Sequence, residues 1–494
     1  MPKVETPMSP SEAESKRFRR RLLVAILFGV FLLVVWLYWR ICPEVPERYV
    51  AITDHFKYGS IGADNDDRGI PIWLFRVLPE MFPEHLPASD KTGYAAFGFL
   101  EEPGMDRPIG FSRRRVQGLD LVGLNCAVCH TGQYRNKADD VPTVVLGMPA
   151  NTVNLQAFFF FLFKCADDPR FQTDAIMERI RKETCLDPYE QFAYPIAIPK
   201  FKEKALAQKK LLQYMTKIPR FGPGRVDTFT PYKRLFFKDM PVNDGDPIGT
   251  SDFPSLWRQR ERQGMHLHWD GNNESVDERN ISAALGAGVR PHPSTLDEPS
   301  MKRVRDWIFD LPPPPFPADK LDTFQVNRGA FVYAKHCADC HDWKGSKVGQ
   351  VVKIDNIGTD RNRLASFTDE MARHMNTLGQ GYAWQFKHFR KTDGYANSPL
   401  DGIWLRGPYL HNGSVPTLRH LLMPAKERPA KFWRGNDLYD WNDVGFVWTA
   451  PKSCDRPLFE FDTALSGNGN MGHEYGTTLP KEERDALLEY LKTL

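Results

Sequence analysis

The sequence predicts a mainly α-helical protein in which two domains follow one N-terminal membrane-spanning helix. Three observations lead to this prediction. An uncharged apolar run occupies residues 22–39, a run of four prolines begins at Pro312, and one short cysteine motif occurs at residues 126–130 and again at 337–341. The length of 494 residues fits two or three domains of ordinary size. With 41% hydrophobic residues, the chain has enough apolar side chains to form buried cores.

The apolar run at the N-terminus is 18 residues long, at the short end of what crosses a bilayer. It follows a basic cluster at residues 16–21 and ends in an aromatic group that includes Trp36 and Trp39. The cluster predicts that residues 1–21 are a cytoplasmic tail and that the rest of the chain lies in the periplasm, behind a single inner-membrane span. A cleaved signal peptide is the alternative. No small-x-small cleavage pattern follows the run, so we predict a retained anchor.

The repeated motif reads Cys-x-x-Cys-His, which is the attachment site of a c-type haem. Its two copies are Cys126, Cys129 and His130, and Cys337, Cys340 and His341. The spacing puts both thiols and the imidazole on one face of a helical turn. The thiols can then bond the porphyrin while the imidazole reaches the iron. A zinc knuckle is the alternative, but it needs four ligands and each copy offers three. The sequence therefore predicts two covalently attached haem c groups.

The prolines set the predicted domain boundary. Residues 43–311 form the first domain, 312–318 a stiff linker and 319–494 the second domain. The second domain has an amphipathic segment before its haem motif and another at the C-terminus, the outline of a class I cytochrome c domain. The first domain also ends in a helical segment, so we predict two such domains in tandem, with the first enlarged by long loops.

Two segments of the first domain have apolar patterns of their own. Residues 113–124 have a spacing that suits a short helix leading into Cys126. The phenylalanine-rich run at residues 158–163 is too short to cross a membrane. It predicts a buried helix or strand, and the alternative is a wall of an apolar channel.

Four cysteines lie outside the haem motifs: Cys42, Cys165, Cys185 and Cys454. An even number outside the cytoplasm permits disulfides, and Cys165 with Cys185 is the simplest pair, with free buried thiols as the alternative. The formal net charge of +3 is small for this length and gives no argument for nucleic-acid binding.

Further histidines are candidates for the far sides of the two irons. His266 and His268 precede an Asn-rich turn, where a structural hydrogen bond between a histidine and an aspartate is the alternative role. His268 and Glu274 are the candidates for an acid-base pair at the first haem. Near the second haem motif, His411 lies in a turn-rich segment and His473 lies between glycines.

The residues also resemble a known family. Residues 410–418 resemble a motif of the bacterial di-haem cytochrome c peroxidases. Residues 58–62, 123–130, 225–229, 268–273 and 472–476 are similar to the di-haem rubber oxygenases and their homologues. This resemblance implies one haem with an open or weakly held position that does the chemistry. It also implies a second, six-coordinate haem that passes electrons.

Carried onto the matching positions, the resemblance assigns the iron ligands. His130 and His341 would be the proximal ligands. His473 would be the distal ligand of the second haem, with His411 as the alternative and Met471 as a third option that gives a higher potential.

Three functions fit these expectations. The first is a membrane-anchored periplasmic oxidoreductase that uses peroxide or oxygen at the first haem. The second is an electron carrier with both irons closed, working between a quinol-linked complex and soluble electron-transfer proteins. The third is an oxygenase that cleaves an apolar alkene, with residues 158–163 lining the path. The ligand opposite His130 distinguishes between them.

Overall fold

The computed structural model describes residues 10–65, 68–237, 239–292, 295–450 and 457–494. Within these ranges the chain is mainly helical, with several small antiparallel sheets.

Cys165 is buried and Cys185 is exposed, and both are free thiols, so the disulfide predicted between them is not formed. Cys454 lies outside the described residues.

The elements of the first half are as follows. The helices are α1 (Pro10–Ile41), α2 (Ile52–Tyr58), α3 (Ile72–Met81), α4 (Leu155–Asp167), α5 (Thr173–Glu183), α6 (Pro188–Leu211), α7 (Thr230–Leu235), α8 (Val276–Gly286) and α9 (Glu298–Phe309). The strands are β1 (Val45–Pro46), β2 (Ile70–Pro71), β3 (Phe111–Val116), β4 (Leu119–Leu124), β5 (Thr131–Tyr134), β6 (Thr143–Leu146), β7 (Arg225–Asp227) and β8 (Thr250–Asp252).

The elements of the second half begin after the prolines. The helices are α10 (Thr323–His336), α11 (Ala338–His341), α12 (Ile354–Ile357), α13 (Asn362–Ser366), α14 (Asp369–Met375), α15 (Leu418–Leu421) and α16 (Lys481–Leu491). The strands are β9 (Val351–Lys353), β10 (Gly394–Ala396), β11 (Lys431–Arg434), β12 (Tyr439–Asp440), β13 (Gly445–Phe446) and β14 (Phe459–Asp462).

The N-terminal helix α1 is longer than the apolar run that predicts it. Its segment Glu14–Ile41 is long and apolar enough to cross a membrane, and its most apolar stretch is not buried against the rest of the protein. The helix also includes the basic cluster at residues 16–21, which the sequence assigns to a tail. Lysine and arginine are good helix formers, so the helix continues through the charged residues. The structure therefore contains one candidate membrane span.

The segment before Cys126 is a β-hairpin and not the predicted helix. Strands β3 and β4 pair antiparallel from Phe111 opposite Leu124 to Val116 opposite Leu119. The turn between them is Gln117-Gly118, and both residues have positive φ, 49° and 78°. This backbone is typical of a tight hairpin turn. The hairpin is the centre of a four-stranded sheet in the order β1-β3-β4-β2, and it ends directly before the first haem motif.

The phenylalanine-rich run lies in the middle of α4, so it is helical, which is one of the two predicted structures. Phe158 and Phe161 are almost fully buried in the largest core, which also contains side chains of α3, α5 and the sheet. Helix α6 packs against α4 and contributes Tyr194 and Ile198 to the same core. Together α4 and α6 form one wall of the first half.

The second half is organised by the crossing of α10 and α16. Gly329 lies at the contact, where a Cβ atom would be 1.9 Å from the carbonyl oxygen of Ala486. Only glycine allows two helix backbones to approach this closely. On α16, Leu487, Leu488 and Leu491 are buried in the core that this crossing covers. The crossing places the start of the second haem motif, which follows α10 directly.

The proline segment at residues 312–318 is packed against the second half. The indole nitrogen of Trp404 donates a hydrogen bond to the carbonyl of Pro314 (3.1 Å), and Phe316 is buried against the rings of Trp404 and Trp441. The two halves also share a buried ion pair, Arg135 with Asp437 at 2.8 Å. They therefore form a continuous structure.

The crossing of α10 and α16 gives the first testable prediction. Gly329→Val should lower the free energy of unfolding by about 2 kcal/mol or more, because the added side chain overpacks a backbone contact. Phe331→Val is the matched control, since Phe331 is on the same helix and is 80% exposed. Denaturant unfolding followed by circular dichroism and haem absorbance measures both variants. Equal stability of the two variants would contradict this account of the crossing.

Candidate haem sites

The first haem motif is held in a short turn after strand β4. The side-chain oxygen of Asn125 accepts a hydrogen bond from the Ala127 backbone (2.9 Å). The Asn125 amide donates to the carbonyl of Gly59 (3.1 Å), which ties the turn to the residues after α2. Gly110 has a positive φ of 91°, and a Cβ there would lie 2.4 Å from the Cα of Val128. This close packing fixes the positions of Cys126 and Cys129.

His130 is oriented by a backbone carbonyl. Its Nδ1 lies 2.8 Å from the carbonyl oxygen of Pro254. A carbonyl only accepts hydrogen bonds, so Nδ1 carries the proton and Nε2 has a free lone pair. Burial lowers the pKa of His130 to about 4, so the ring is neutral at neutral pH. A neutral imidazole with one nitrogen fixed by a hydrogen bond is the form that binds a metal.

The second haem motif has the same arrangement. Helix α11 ends at His341, whose Nδ1 lies 2.8 Å from the carbonyl oxygen of Ser398. Cys337 and Cys340 are partly buried free thiols on the same turn. Burial raises the pKa of the Cys337 thiol to about 11. Both motifs thus present two thiols and an imidazole with an available Nε2.

His473 faces His341 across the second site. The centroids of the two rings are 6.1 Å apart. Two imidazoles on opposite sides of one metal ion have centroids about 6 Å apart, since each metal–nitrogen bond is about 2 Å and each ring centre lies about 1 Å behind its nitrogen. His473 has a φ of 50° and follows Gly472, which packs on the backbone of Gly358. The residues of this site therefore fit a haem iron between two histidines.

The other two candidates for this ligand lie elsewhere. The Nε2 of His411 is 3.1 Å from the Tyr395 hydroxyl, and the two rings stack at 4.1 Å. Met471 is 56% exposed, whereas the ring of His473 lies opposite that of His341. The geometry favours His473, and assigning Met471 to the iron is not supported.

A large cavity adjoins the first haem motif. It has a volume of about 370 Å³, and Cys126, Cys129 and His130 lie in its wall. Most of the remaining wall is apolar, and helices α4 and α6 form one side of it with Phe158, Phe159, Phe163, Phe201 and Ala205. The cavity therefore offers an apolar space next to the two thiols and the proximal imidazole.

His268 lies in the wall of this cavity. Its Nδ1 is 2.5 Å from the side-chain oxygen of Asn272, and the Asn272 amide in turn donates to Asp270 (3.0 Å). This chain of hydrogen bonds puts the proton of His268 on Nδ1 and leaves Nε2 free. Burial lowers the pKa of His268 to about 4. Within the described ranges, no ring pairs with His130 as His473 pairs with His341.

Glu274 and His266 are not in the cavity wall. The Glu274 carboxylate is 2.5 Å from Arg390 at the surface, and this hydrogen bond lowers the pKa of Glu274. The Nδ1 of His266 lies 3.1 Å from the carbonyl of Gly271. The prediction of Glu274 as an acid-base group is therefore wrong in position, because its carboxylate is neutralised by an arginine outside the cavity.

Arg279 is a cavity residue that sequence analysis missed. It lies on α8, and its guanidinium donates to the side chain of Asn280 (3.3 Å). Burial and the nearby Arg262 lower its pKa to about 9. No carboxylate pairs with it in the part of the chain that the structure describes. Arg279 is partly exposed to the cavity, and a cation there with no anion beside it is suited to hold a carboxylate of a bound haem.

The carbonyl groups of Ser398 and Pro254 accept the hydrogen bonds from the two proximal histidines. The segment that carries each carbonyl contacts an arginine from the other half of the chain. Arg262, from the first half, donates to the Ser398 hydroxyl (3.0 Å) and forms an ion pair with Asp401. Arg434, from the second half, donates to Asp252 (2.8 Å), two residues before Pro254. The orientation of each proximal histidine thus depends on contacts between the halves.

Comparison with known proteins supports this description of the second site. Residues 326–398 match the cytochrome c family, and residues 394–434 match the family described as RoxA-like, cytochrome c-like. The prediction of a cytochrome c domain is confirmed, and such a domain implies a covalently bound haem c. The first haem motif lies outside both matched segments, so the haem at His130 remains a prediction.

Two proteins of Sinorhizobium fredii are similar over most of their length. Uncharacterized protein y4iJ is 27% identical over 507 residues, covering 82% of each chain. Uncharacterized protein y4iM is 32% identical over 302 residues, which cover 52% of this chain and 68% of y4iM. The chain belongs to the same family as y4iM. The RoxA-like segment agrees with the resemblance to the rubber-oxygenase group, whereas the wider peroxidase relationship stays a prediction.

The ligand assignment at the second haem gives a prediction for this member of the y4iM family. His473→Ala should convert the second haem from low spin to high spin, because one of its two imidazoles is lost. His411→Gln is the matched control and should leave the spin state unchanged, since His411 contacts Tyr395. Electron paramagnetic resonance of the oxidised proteins makes the comparison. A spin change in the His411 variant alone would exchange the two assignments.

Proposed function

We propose that this chain is a membrane-anchored periplasmic di-haem c-type cytochrome, and that it is an oxidoreductase using peroxide or oxygen at the haem held by His130. The difference between the two sites carries this proposal. At the second site the ring centroids of His473 and His341 are 6.1 Å apart, which leaves no room for a substrate between the two rings. At the first site His130 adjoins a cavity of about 370 Å³.

The first site has the residues that a haem c requires. Cys126 and Cys129 would form the thioether bonds, His130 would bind the iron, and Arg279 would pair with a carboxylate. When bound, the haem supplies one-electron redox chemistry at an iron that a small oxidant can reach. The protein contributes orientation, an apolar environment that excludes bulk water, and a group that transfers protons.

His268 is the candidate for that proton transfer. Its Nδ1–H is held by Asn272, so Nε2 is the atom that accepts a proton from a peroxide in the cavity. The low pKa means that the ring is neutral before the reaction and releases the proton readily afterwards. These properties suit the transfer of a proton from one peroxide oxygen to the other.

The overall reduction of peroxide balances as follows. The O–O bond breaks, two electrons and two protons are consumed, and two water molecules leave. Both electrons would come from an external electron-transfer protein or a quinol-linked complex, and His341 and His473 would hold the group that receives them. A pair of histidines at that iron suits electron transfer, because the ligands do not change with the redox state.

Two other functions remain alternatives. If the Nε2 of His268 binds the first iron, both irons are closed and the chain is an electron carrier. The apolar wall of the cavity favours a different alternative, an oxygenase that cleaves an apolar alkene. Phe158, Phe159 and Phe163 would then line the path of the substrate, as the phenylalanine-rich run predicts.

The spin states of the oxidised protein test the proposal. We expect one low-spin and one high-spin haem in the electron paramagnetic resonance spectrum. Addition of peroxide should change the high-spin signal first. A spectrum with only low-spin signals, unchanged by peroxide, would favour the electron carrier and count against both reactions at the first haem.

A substitution at His268 tests its role in proton transfer. His268→Ala should lower the rate constant for reaction with peroxide by about 100-fold, the usual size of a general acid-base effect. Glu274→Gln is the control and should react as the wild type does, because Glu274 is paired with Arg390 outside the cavity. Stopped-flow absorbance measures both. A change from low spin to high spin in His268→Ala would instead identify His268 as an iron ligand.

A further inference from the structure

One face of helix α6 presents apolar side chains to the outside of the protein. Phe192 is 69% exposed and Ile196 is 44% exposed, and Pro188 and Pro199 are exposed as well. These four residues, which we call the α6 strip, recur every three or four positions and so share one side of the helix. Tyr194, on the opposite side, is buried in the core. The strip is an apolar surface that the rest of the described chain leaves uncovered.

The strip begins beside the end of α1. Arg40, in the last turn of α1, forms an ion pair with Asp187 at 2.8 Å, and Asp187 caps the N-terminus of α6. The guanidinium of Arg40 also lies 5.5 Å from the ring centre of Tyr189. The Tyr189 hydroxyl donates to the carbonyl of Gln117 at the hairpin turn (2.6 Å). These contacts join the end of the candidate membrane span, the hairpin and α6.

The α6 strip lies close to the contact between Arg40 of α1 and Asp187 at the start of α6. A helix rises 1.5 Å per residue, so Phe192 lies about 8 Å and Ile196 about 14 Å along the axis from Asp187. Trp36 and Trp39 are in the last turns of α1, where aromatic side chains mark the boundary between membrane and water. The strip therefore starts at the level of that boundary.

The charges next to the strip suit a membrane surface. Lys200 follows it directly and is exposed, and Lys210 is exposed further along the helix. A helix with an apolar face and flanking lysines lies in the plane of a bilayer with its apolar side chains among the headgroups. Anionic lipids strengthen this binding.

We propose that the α6 strip rests on the surface of the bilayer that holds α1. This inference depends on the proposed membrane span but not on the proposed redox chemistry. The same helix lines the haem cavity with Phe201, Ala205 and Gln208, and the exposed Lys204 is also in the cavity wall. Lys204 is about 12 Å along the helix from Ile196. The contact would hold this part of the cavity wall close to the bilayer, where apolar molecules are dissolved.

A nitroxide label at Ile196 tests the proposal in the full-length protein. Ile196→Cys is made with Cys42→Ser and Cys185→Ser, because both of these thiols are exposed, and with Cys454→Ser, because Cys454 lies outside the described residues. The labelled protein is placed in vesicles of phosphatidylcholine and phosphatidylglycerol. Collision rates are measured with oxygen, which concentrates in the bilayer, and with a water-soluble nickel chelate. We expect the ratio of oxygen to nickel collisions at residue 196 to be several-fold higher than at a water-exposed position.

Two further labels separate the possible outcomes. Phe331→Cys is the water-exposed reference, since Phe331 is apolar, helical and 80% exposed. Leu27→Cys reports on the middle of α1. If the label at residue 27 is not in the bilayer, the membrane span itself is wrong. If residue 27 is in the bilayer but residue 196 behaves like residue 331, only the present inference fails. Protection from both reagents with spin–spin broadening would show that a second copy covers the strip, and this also overturns the inference.

Discussion

The hydrogen bond from each proximal histidine to a backbone carbonyl is the constraint on which the rest of the structure depends. His130 donates to Pro254 and His341 to Ser398, both at 2.8 Å. A metal-binding histidine almost always donates its other N–H to such an acceptor, which fixes the tautomer and the orientation of the ring. The carbonyls are far from the histidines in sequence, so the fold must bring them there. The hairpin, the helix crossing and the contacts between the halves all serve that placement.

The same local arrangement leads to two different sites. Near His341, the chain after Gly472 places the imidazole of His473 opposite that of His341. Around His130, helices α4 and α6 form part of the wall of a mainly apolar cavity. The second site is built to keep its ligands and the first to admit another molecule. This difference between the two sites is the observation on which the proposed function rests.

The sequence predicted the covalent and local features well. Both cysteine motifs, the burial of the phenylalanine-rich run and the apolar N-terminal helix follow from spacing and composition. The role of His473 opposite His341 came from the family resemblance and stays a prediction. Residues 113–124 were expected to be helical, because short apolar runs do not distinguish a helix from a hairpin. Glu274 is close in sequence to His268, which lies in the cavity wall, but Glu274 itself lies outside the cavity. No sequence pattern pointed to Arg279 or to the carbonyl groups of Pro254 and Ser398, because their roles arise only from tertiary contacts.

The bracing of the carbonyls runs in both directions. Arg262 of the first half holds the segment that orients His341, and Arg434 of the second half holds the segment that orients His130. Either half on its own would keep its cysteines and its histidine but lose the brace that aims the imidazole. Recombination between relatives that exchanged one half would therefore have to bring a matching arginine and acceptor with it. The two haem motifs are thus parts of one structural unit, although they look like a duplication.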